Sequence, residues 1–527
     1  MTAGTITPYR SAESAGHDGF PQLLRAEWIK FRSVRGWIIG MVVAGLLMLA
    51  VGLLGVQNGG GCSVGASAPV QHGAACGAPA IPVGRGGEPV TDNFYFVRQP
   101  LAGNGSITAR VTSLTAPVSL SPPLQPWSKA GIIIKQSTKQ GSAYAAMMVT
   151  GGNGVRMQYD YTQDVAGMAG SVSAAHPRWL RLTRSGDTVT GYDSADGTHW
   201  TRVGSADLAG LPSTVQVGLF ATSPDQVSTS TSFGSGSGYS NPSLATGILD
   251  HVAVSGEHRG IWTGGIVGPA PSTFGPNSQS VVGFHQVAGR FTVTGSGDIA
   301  PLTAALGSGE GTGTIGEHLV GTFAGLIAVV VIATMFMTAE YRRGLIRVSL
   351  TASPRRGRVL AAKAVVIGLV TFVLGLIAAV IAVPVGVHLS QDQGVYVIPV
   401  SWLTEARVMV GTAALLGVAA VLALAVGTIL RRSAPAITAV IVGIVLVYIL
   451  GIGPGLLPSG TGQWLLRLTP AAGFAIQQSL PKWPQIATVY QPPDYYPLAP
   501  WAGFAVLCGY AVLAMGLAVF LLRRRDA

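Results

Sequence analysis

Long apolar runs and short alternating runs divide this chain into two kinds of segment. Six runs are long and apolar enough to cross a bilayer, which takes about 20 residues. Between the first two of these runs lies a stretch of short β-prone segments and glycine-rich turns. The pattern predicts a multi-domain membrane protein, with a six-helix α-helical transmembrane domain and an all-β domain inserted after its first span. The six runs are Gly36–Val56, Leu319–Met337, Ala364–Val387, Val408–Leu430, Ala436–Ile452 and Ala502–Leu522.

The inserted region is expected to be a β-sandwich, because many short strands joined by turns form a sandwich or a barrel. Turn signals occur at Gly151–Gly154, Ser185–Asp187 and Ala195–Gly197. Residues 290–297 are expected to return as an edge or closing strand. The predicted strands are Ser106–Leu114, Gly131–Lys135, Tyr144–Thr150, Val155–Tyr161, Trp179–Thr183, Thr188–Tyr192, Val215–Ala221 and Ile248–Val254.

The same patterns predict the domain boundaries. Glycine, alanine and proline dominate the segment before the sandwich and indicate a linker there. The predicted order is a cytoplasmic N-terminus at 1–35, span one at 36–56, a linker at 57–92, the sandwich at 93–300 with its core at 93–255, a second linker at 301–318, and spans two to six at 319–527.

Lysine and arginine predict the direction of the spans, because short cytoplasmic loops carry an excess of both. Basic residues crowd four segments that would lie on one side, whereas the opposite short loops hold only Arg407, Arg467 and Lys482. Both termini are therefore expected in the cytoplasm, and the inserted domain outside the plasma membrane. Ala66-Ser67-Ala68 resembles a signal-peptide cleavage site, but the first apolar run is longer than a signal core and indicates an uncleaved anchor.

The composition also indicates that the chain combines a membrane part with a water-exposed domain. Charged residues make up 10% of the chain, against about 25% in soluble domains. Of the 33 Lys and Arg residues, 13 lie between Val56 and Leu319, where they face 14 acidic residues. The basic excess thus belongs to the membrane part and does not indicate a nucleic-acid partner. The span centres lack ionisable residues, which argues against an ion-coupled transporter.

Two cytoplasmic segments carry patterns of their own. Leu24, Trp28 and Phe31 recur at helical spacing before span one, which predicts a short amphipathic helix at the membrane interface. The plainer interpretation is a basic flank that only sets orientation. The loop at 340–363 interleaves arginines with apolar residues and contains Ser353-Pro354, a helix-start signal. Such a loop can dock on a partner protein or bind anionic lipid headgroups.

The membrane part resembles the permease subunits of ABC exporters of the drug, lipid and polysaccharide class. The resemblance rests on Arg25–Lys30, on the 340–363 stretch, on the Arg431-Arg432 turn and on the long outer segment Pro454–Pro500. It implies an elbow helix and a coupling loop that sits on a separate ATPase. The implied elbow residues are Arg25, Glu27, Trp28 and Lys30. The implied coupling residues are Glu340, Arg342, Arg343, Gly344, Arg347, Pro354, Arg355, Arg356 and Lys363.

The chain is expected to have no enzymatic activity of its own. A phosphate-binding Walker loop ends in Gly-Lys-Ser/Thr, and no such run exists here. Gly311–Gly316 fits a dinucleotide-binding pattern but lies beside a span, without strand–helix–strand context. The resemblance therefore implies that ATP and Mg²⁺ bind a partner ATPase, and that a second permease subunit completes the translocation unit.

The inserted domain resembles concanavalin A-like and laminin-G-like jelly rolls. The residues that carry this resemblance are Ala130–Ile134, Ala143–Ala146, Trp179–Arg184 and Asp193–Trp200. Glucanases on such folds need paired carboxylates, but no Glu-x-Asp-x-Glu run is present, and His251, His258 and His285 fit no metal motif. The resemblance indicates the fold and not a ligand: capping of the outer gate, binding of a substrate, binding of a cell-wall glycan and spacing of partners all stay open. Tryptophans could stack on sugar rings, yet we expect Trp179 and Trp200 in the core.

Three cysteines complete the candidate chemistry. Cys62 and Cys76 lie just outside the first run and could form a disulfide or remain two free thiols, with the disulfide favoured in an exported loop. Cys508 lies inside the last apolar run. No cofactor is expected in the chain itself.

Three functions fit these features. The first is an exporting permease driven by a separate ATPase. The second is a non-transporting ABC-type component that transmits ATPase motion to an external sugar- or protein-binding domain. The third, a membrane-anchored lectin, is least favoured, because one span would anchor it.

Overall fold

The computed structural model describes residues 19–59, 81–117, 122–232, 235–258, 260–269, 281–302, 312–342, 356–452, 457, 460–486 and 496–524. Two helices precede a β-domain, and the remaining helices follow it. They are α1 (Phe20–Ser33), α2 (Arg35–Gly59), α3 (Thr322–Arg342), α4 (Arg356–Asp392), α5 (Trp402–Leu430), α6 (Ser433–Ile441), α7 (Val447–Ile452), α8 (Thr461–Leu468) and α9 (Pro500–Arg524).

Six helical segments are long and apolar enough to cross a membrane by length and composition. They are α2, α3 with a preceding 3-10 turn, α4, α5, the α6–α7 pair joined by a π-helical turn at Val442–Leu446, and α9. Each overlaps one of the six predicted runs, which confirms that expectation. At 37 residues, α4 is the longest, and at 1.5 Å per residue it extends about 55 Å.

The helices pack through small residues. Helix α5 is the most buried of the six segments and contacts α3, α4 and α9. The start of α3 lies so close to α2 that a Cβ at Gly321 would lie 1.8 Å from the Met48 carbonyl oxygen. Only glycine fits there, and close backbone approach of this kind is typical of helices that associate within a bilayer.

The segment between the last two spans also packs into the bundle. It contains α8 and a 3-10 helix at Pro470–Gln477, which is buried from Ala471 onward. The Gln477 amide donates to the Thr322 and Thr412 hydroxyls at 3.2 and 3.1 Å. The sequence predicted only an outer segment at 454–500, because its glycines and prolines interrupt the apolar pattern.

The β-domain contains every predicted strand and several more. The additional strands include Val90–Asp92 and Ile299–Pro301, which pair with each other, and Thr201–Asp207. The predicted strand at Ser106–Leu114 is also the second half of a longer one, Phe94–Thr115. The strands are β1 (Val90–Asp92), β2 (Phe94–Thr115), β3 (Lys129–Lys135), β4 (Tyr144–Thr150), β5 (Val155–Tyr159), β6 (Gln163–Ala166), β7 (Arg178–Ser185), β8 (Thr188–Ser194), β9 (Thr201–Asp207), β10 (Thr214–Thr222), β11 (Gln226–Ser232), β12 (Ser235–Asn241), β13 (Ala245–His258), β14 (Thr263–Val267), β15 (Gly283–Val287), β16 (Arg290–Gly295) and β17 (Ile299–Pro301).

Two layers of this barrel-like sheet share the long strand β2. The first half of β2 pairs with β10, which continues through β3, β4 and β5 to β6. Its second half pairs with β13 and β7, which continues through β8 to β9. The strand changes layer near Gly103, whose φ of +64° favours glycine. Ile132, Met147, Leu180 and Val217 belong to the core between the layers.

The first layer is buried on both faces, which explains its continuous apolar strands. All seven residues of β3 and all seven of β4 are buried, as expected for strands covered on both sides. The outer face forms a second core that includes Phe94, Phe220 and Tyr144. Strand β1 pairs with β17 in a short ribbon beside this core. The predicted linker at 57–92 therefore ends earlier, since Val90–Asp92 belongs to the β-domain.

A junction joins the β-domain to one end of the helical bundle. Residues Thr312–Gly313 (β18) pair in parallel with Tyr396–Val397 (β19), which directly follow α4. The Tyr396 hydroxyl donates to the Gly87 carbonyl at 2.6 Å, and the Gln485 amide donates to the Tyr161 carbonyl at 2.8 Å. These contacts fix the β-domain to the loops at the α5 N-terminal end of the bundle.

The placement of two tryptophans differs from the prediction. Trp179 and Trp200 do not belong to either core; both are partly exposed on the outer face of the second layer. The expectation that they pack inside was wrong, because neighbouring arginines cover their rings at the surface. Trp127, in contrast, is buried.

Candidate functional site

Four charged side chains meet at the bundle end opposite the junction, and we call them the charge cluster: Glu27, Lys30, Glu340 and Lys363. The Lys363 ammonium donates to Glu27 Oε2 and to Glu340 Oε1, both at 2.6 Å. Lys30 donates to Glu27 Oε1 at 2.8 Å and approaches Glu340 Oε1 at 3.5 Å. Two carboxylates and two ammonium groups therefore share one site, with formal charges that balance.

Two of the four charged groups are almost completely buried, whereas the Lys30 side chain is 42% exposed. Lys363 is 1% exposed and Glu27 is 3% exposed. A buried charge is tolerated only when it is paired and hydrogen-bonded, because leaving it alone costs several kcal/mol. Glu340 Oε2 is buried and has no hydrogen-bond partner among the described residues. One carboxylate oxygen of the cluster is thus unpaired within the part of the chain that the structure describes.

Glu27 lies on the buried face of helix α1, which is not the face that the apolar spacing predicted. Pro21 lies in the first turn of this helix. Lys30 and Arg32 lie in its last turn, where positive charges interact favourably with the helix dipole. Glu27 and Phe31, four residues apart, form the buried face. Trp28, predicted as the interfacial anchor, is 46% exposed, which leaves it available to a membrane interface.

The Phe336 ring lies against the ammonium of Lys363 and contacts two further aromatic rings. The Lys363 Nζ lies 4.8 Å from the centre of the Phe336 ring, a cation–π distance. Phe31 and Trp37 each contact Phe336 edge to face at 5.9 Å. The cluster therefore joins α1, α2, α3 and α4 through one apolar and ionic contact.

Burial and charge act in opposite directions on Lys30. Partial burial disfavours its charged form, but the hydrogen bond and the charges of Glu27 and Glu340 outweigh this effect and raise the pKa of Lys30. A lysine with a raised pKa stays charged at neutral pH. Lys30 therefore contributes a positive charge to the cluster at neutral pH.

The cluster flanks the predicted coupling loop on both sides. Glu340 lies two residues before the end of α3, and Lys363 lies in the third turn of α4. Arg342 is exposed at the end of α3, whereas the Arg356 guanidinium donates to the Leu522 carbonyl at 2.7 Å. The other predicted coupling residues lie outside the described part of the chain: Arg343, Gly344, Arg347, Pro354 and Arg355.

The remaining predicted features fall at the same end or outside the described residues. The Arg431 guanidinium lies 5.4 Å from the Tyr341 ring, so the two-arginine turn contacts the end of α3. Arg25 is exposed on α1. Cys62 and Cys76 both lie outside the described residues, so their pairing stays a prediction. Cys508 lies in α9 as a free thiol.

Sequence reasoning missed the ionic contact and the junction. Glu27, Glu340 and Lys363 were each expected as separate elbow or coupling residues, without contact between them. A signal was present, since a lone lysine at the start of an apolar run requires an acidic partner. For the junction residues Tyr396 and Gln485, no comparable signal exists in the sequence.

Comparison with known proteins adds little at this point. No protein-family model matches the chain, and no curated protein matches it either. A solved structure of scytalido-glutamic peptidase with a transition-state analogue inhibitor is 9% identical, covers 39% of this chain and 98% of its own, and gives a TM-score of 0.25.

Two other structures are equally distant. A functionally unknown protein from Saccharomyces cerevisiae is 14% identical over 34% of this chain and 83% of its own, with a TM-score of 0.21. A GH43 protein from Bacillus licheniformis is 14% identical over 24% of this chain and 29% of its own, with a TM-score of 0.18. This chain therefore matches less than a third of that glycoside hydrolase structure, and none of these likenesses assigns a fold family or an activity.

Proposed function

We propose that this chain is the transmembrane permease subunit of an ABC exporter, driven by ATP hydrolysis on a separate subunit. The charge cluster is the observation that carries the proposal. It links α1, the proposed elbow helix, to both flanks of the arginine-rich segment at 343–355. A force applied to that segment by a partner would reach α1, α3 and α4 together.

The arrangement of the two ends supports the orientation that we propose. Arg342, Arg356 and Arg431 lie at the end that holds the charge cluster, and an excess of basic residues supports a cytoplasmic location for this end and for both termini. The β-domain, proposed to be a concanavalin A-like jelly roll, then lies outside the plasma membrane. A second copy of the chain, or a related permease, would complete the translocation unit.

A second function is favoured by the junction. Helix α4 begins beside the arginine-rich segment and ends four residues before Tyr396, which contacts Gly87 of the β-domain. One helix of about 55 Å therefore connects the two ends of the molecule. This geometry suits a non-transporting component that passes ATPase motion to an external domain for binding a sugar or a protein.

Co-purification tests the proposal. The tagged chain is expressed in its native host, extracted in mild detergent, and assayed for ATP hydrolysis and for bound subunits. Arg343→Glu combined with Arg355→Glu is expected to abolish capture of an ATPase, because the change reverses two charges within the segment proposed to bind it. We avoid Arg356 because it already bonds to the Leu522 carbonyl.

A matched double reversal provides the control. Lys139→Glu combined with Arg290→Glu changes two exposed positions of the β-domain and is expected to leave capture unchanged. Absence of any ATPase from the wild-type preparation, or equal loss in both double variants, would overturn the proposal. Stimulation of hydrolysis by a transported compound would favour the exporter over the signalling component.

A further inference from the structure

The outer face of the second β-layer carries a row of basic and aromatic side chains. Thr108 of β2, Arg181 of β7, Tyr192 of β8 and Arg202 of β9 are direct cross-strand partners. Adjacent strands lie about 4.8 Å apart, so the three residues from Arg181 to Arg202 span about 10 Å. We call this set the arginine–tyrosine row.

Strand alternation fixes the direction of these side chains. Leu180, Leu182, Val189 and Ala206 are fully buried in the core between the layers. Their neighbours in sequence therefore point outward, because successive strand residues face opposite sides. A register shift beside Tyr192 places Arg202 opposite it. The row is thus a surface feature of the β-domain.

Two tryptophans widen the surface beside the row. The Arg181 guanidinium stacks 3.8 Å from the centre of the Trp200 ring and also donates to the Thr108 hydroxyl. In the neighbouring register, Arg110 lies 5.6 Å from the centre of the Trp179 ring. Gly197 lies against the Trp179 ring. Trp200 is held by the Arg181 guanidinium and by the hydrogen bond that its indole N–H donates to the Gly197 carbonyl at 3.1 Å.

The charge of the face is positive. Two carboxylates beside its tryptophans have partners of their own: Asp250 pairs with Arg110, and Asp196 pairs with His199. Arg181 and Arg202 have no carboxylate partner among the described residues. The region between Val56 and Leu319 has slightly more acidic than basic residues, so the row is a local excess and not an average property.

We propose that the arginine–tyrosine row, together with Trp200, binds an anionic glycan. Guanidinium groups pair with carboxylate or phosphate groups, and aromatic side chains combine an apolar ring with a polar tip, which suits the C–H faces of sugar rings. The row is long enough to contact successive sugar units of one chain. This inference concerns the β-domain alone and does not rest on the proposed transporter function.

The test uses the full chain in detergent and polygalacturonate as the probe. Wild-type protein is expected to bind polygalacturonate at low salt, with binding weakened as salt screens the charges. Arg181→Gln combined with Trp200→Ala is expected to weaken binding about tenfold or more, the loss of roughly one charge-assisted hydrogen bond. Arg202→Gln alone, at an exposed position, is expected to weaken it about threefold.

Controls separate the possible outcomes. Arg290→Gln, at another exposed position of the β-domain, is expected to bind like wild type, and thermal unfolding shows whether each variant is folded. Dextran is expected not to bind, and polyglutamate is expected to bind more weakly than polygalacturonate. Failure to bind polygalacturonate, equal binding by the Arg202→Gln variant, or equal binding of polyglutamate would each overturn the proposal.

Discussion

Lys135 in the β-domain and Lys363 in the bundle are two of the buried lysines among the described residues, and they differ in how their ionic partners are shared. In the β-domain, Lys135 donates to Asp92 Oδ2 at 2.7 Å, to the Tyr161 hydroxyl at 3.0 Å and to the Ser142 carbonyl at 3.1 Å. Three acceptors satisfy all three protons of its ammonium. In the bundle, Lys363 has two carboxylates and the face of Phe336.

The two lysines differ in whether their carboxylate partners can exchange with another cation. Burial lowers the pKa of Lys135, with Asp92 opposing the effect, and all of its partners belong to the β-domain. Lys363 shares both of its carboxylates with Lys30. Both sites leave one buried carboxylate oxygen without a hydrogen-bond partner among the described residues, Asp92 Oδ1 and Glu340 Oε2, so the difference lies in the second cation. A network in which two cations share two carboxylates can exchange partners more easily than a single ion pair. We therefore expect Lys135 to stabilise the domain and the charge cluster to permit motion.

The largest effect is expected for Lys135→Met. The change leaves the Asp92 carboxylate buried without its cation, which costs about 3–5 kcal/mol of unfolding free energy. Urea unfolding of the β-domain in the detergent-purified chain, followed by proteolysis, measures this cost. Lys139→Met, at an exposed position, is the control. Equal stability of the two variants would contradict the inference that Lys135 stabilises the β-domain.

Lys363→Met is expected to have a smaller effect, about 2 kcal/mol, because Lys30 still neutralises both glutamates in part. The loss should free α1 from the bundle. Maleimide labelling of a cysteine at Phe31, with the native cysteines replaced by serine, is expected to accelerate about tenfold or more. Adding Glu27→Gln should restore slow labelling in part; unchanged labelling in the Lys363→Met variant would show that the cluster does not hold α1.

At the junction, Gln485→Ala removes one hydrogen bond to the Tyr161 carbonyl. The expected cost is about 1 kcal/mol, and it should appear as faster hydrogen exchange around Tyr161 and not across the β-domain. Gln393→Ala, whose side chain is exposed near the same end of α4, serves as the matched control. Identical hydrogen-exchange rates around Tyr161 in both variants would mean that the Gln485 hydrogen bond does not stabilise the junction.

The smallest effect concerns a more exposed pair, Arg110 and Asp250. The hydrogen bond from Arg110 holds the pKa of Asp250 below its usual value of 3.8. A lowered carboxyl pKa adds stability above pH 3.8, and this stability is lost as pH falls toward the folded-state pKa. Asp250→Asn is expected to cost less than about 1 kcal/mol at pH 7 and to flatten the acid limb of the unfolding curve; an unchanged acid limb would contradict the pairing.

Periodicity was sufficient for the main elements of both domains. The six apolar runs identify the long helices because a bilayer-spanning helix needs a length of apolar sequence that few other structures use. The strands at Tyr144–Thr150 and Thr188–Tyr192 were predicted as short β-prone runs separated by turn signals, and both are present. These signals depend on residues that are close together in the chain, so they can be recognised in a single sequence.

Long-range contacts were not predictable in the same way. The ribbon of β1 with β17 joins residues more than two hundred positions apart, and nothing in Val90–Asp92 identifies its partner. Glu27 reaches Lys363 over a separation of 336 positions. Trp200 lies at the surface because Arg181 stacks on it, a pairing that depends on strand register. Each of these contacts follows from the tertiary arrangement and not from local propensity.

Photo-crosslinking from the arginine-rich segment tests the central claim most directly. A photoreactive amino acid at Arg347 is compared, in the native host, with one at Ser401, which is exposed near the opposite end of the bundle. We expect position 347 to cross-link to an ATP-hydrolysing subunit and position 401 to leave it unlabelled. Absence of an ATPase adduct at position 347, or equal adducts at both positions, would contradict the account of this chain as the permease of an ATP-driven complex.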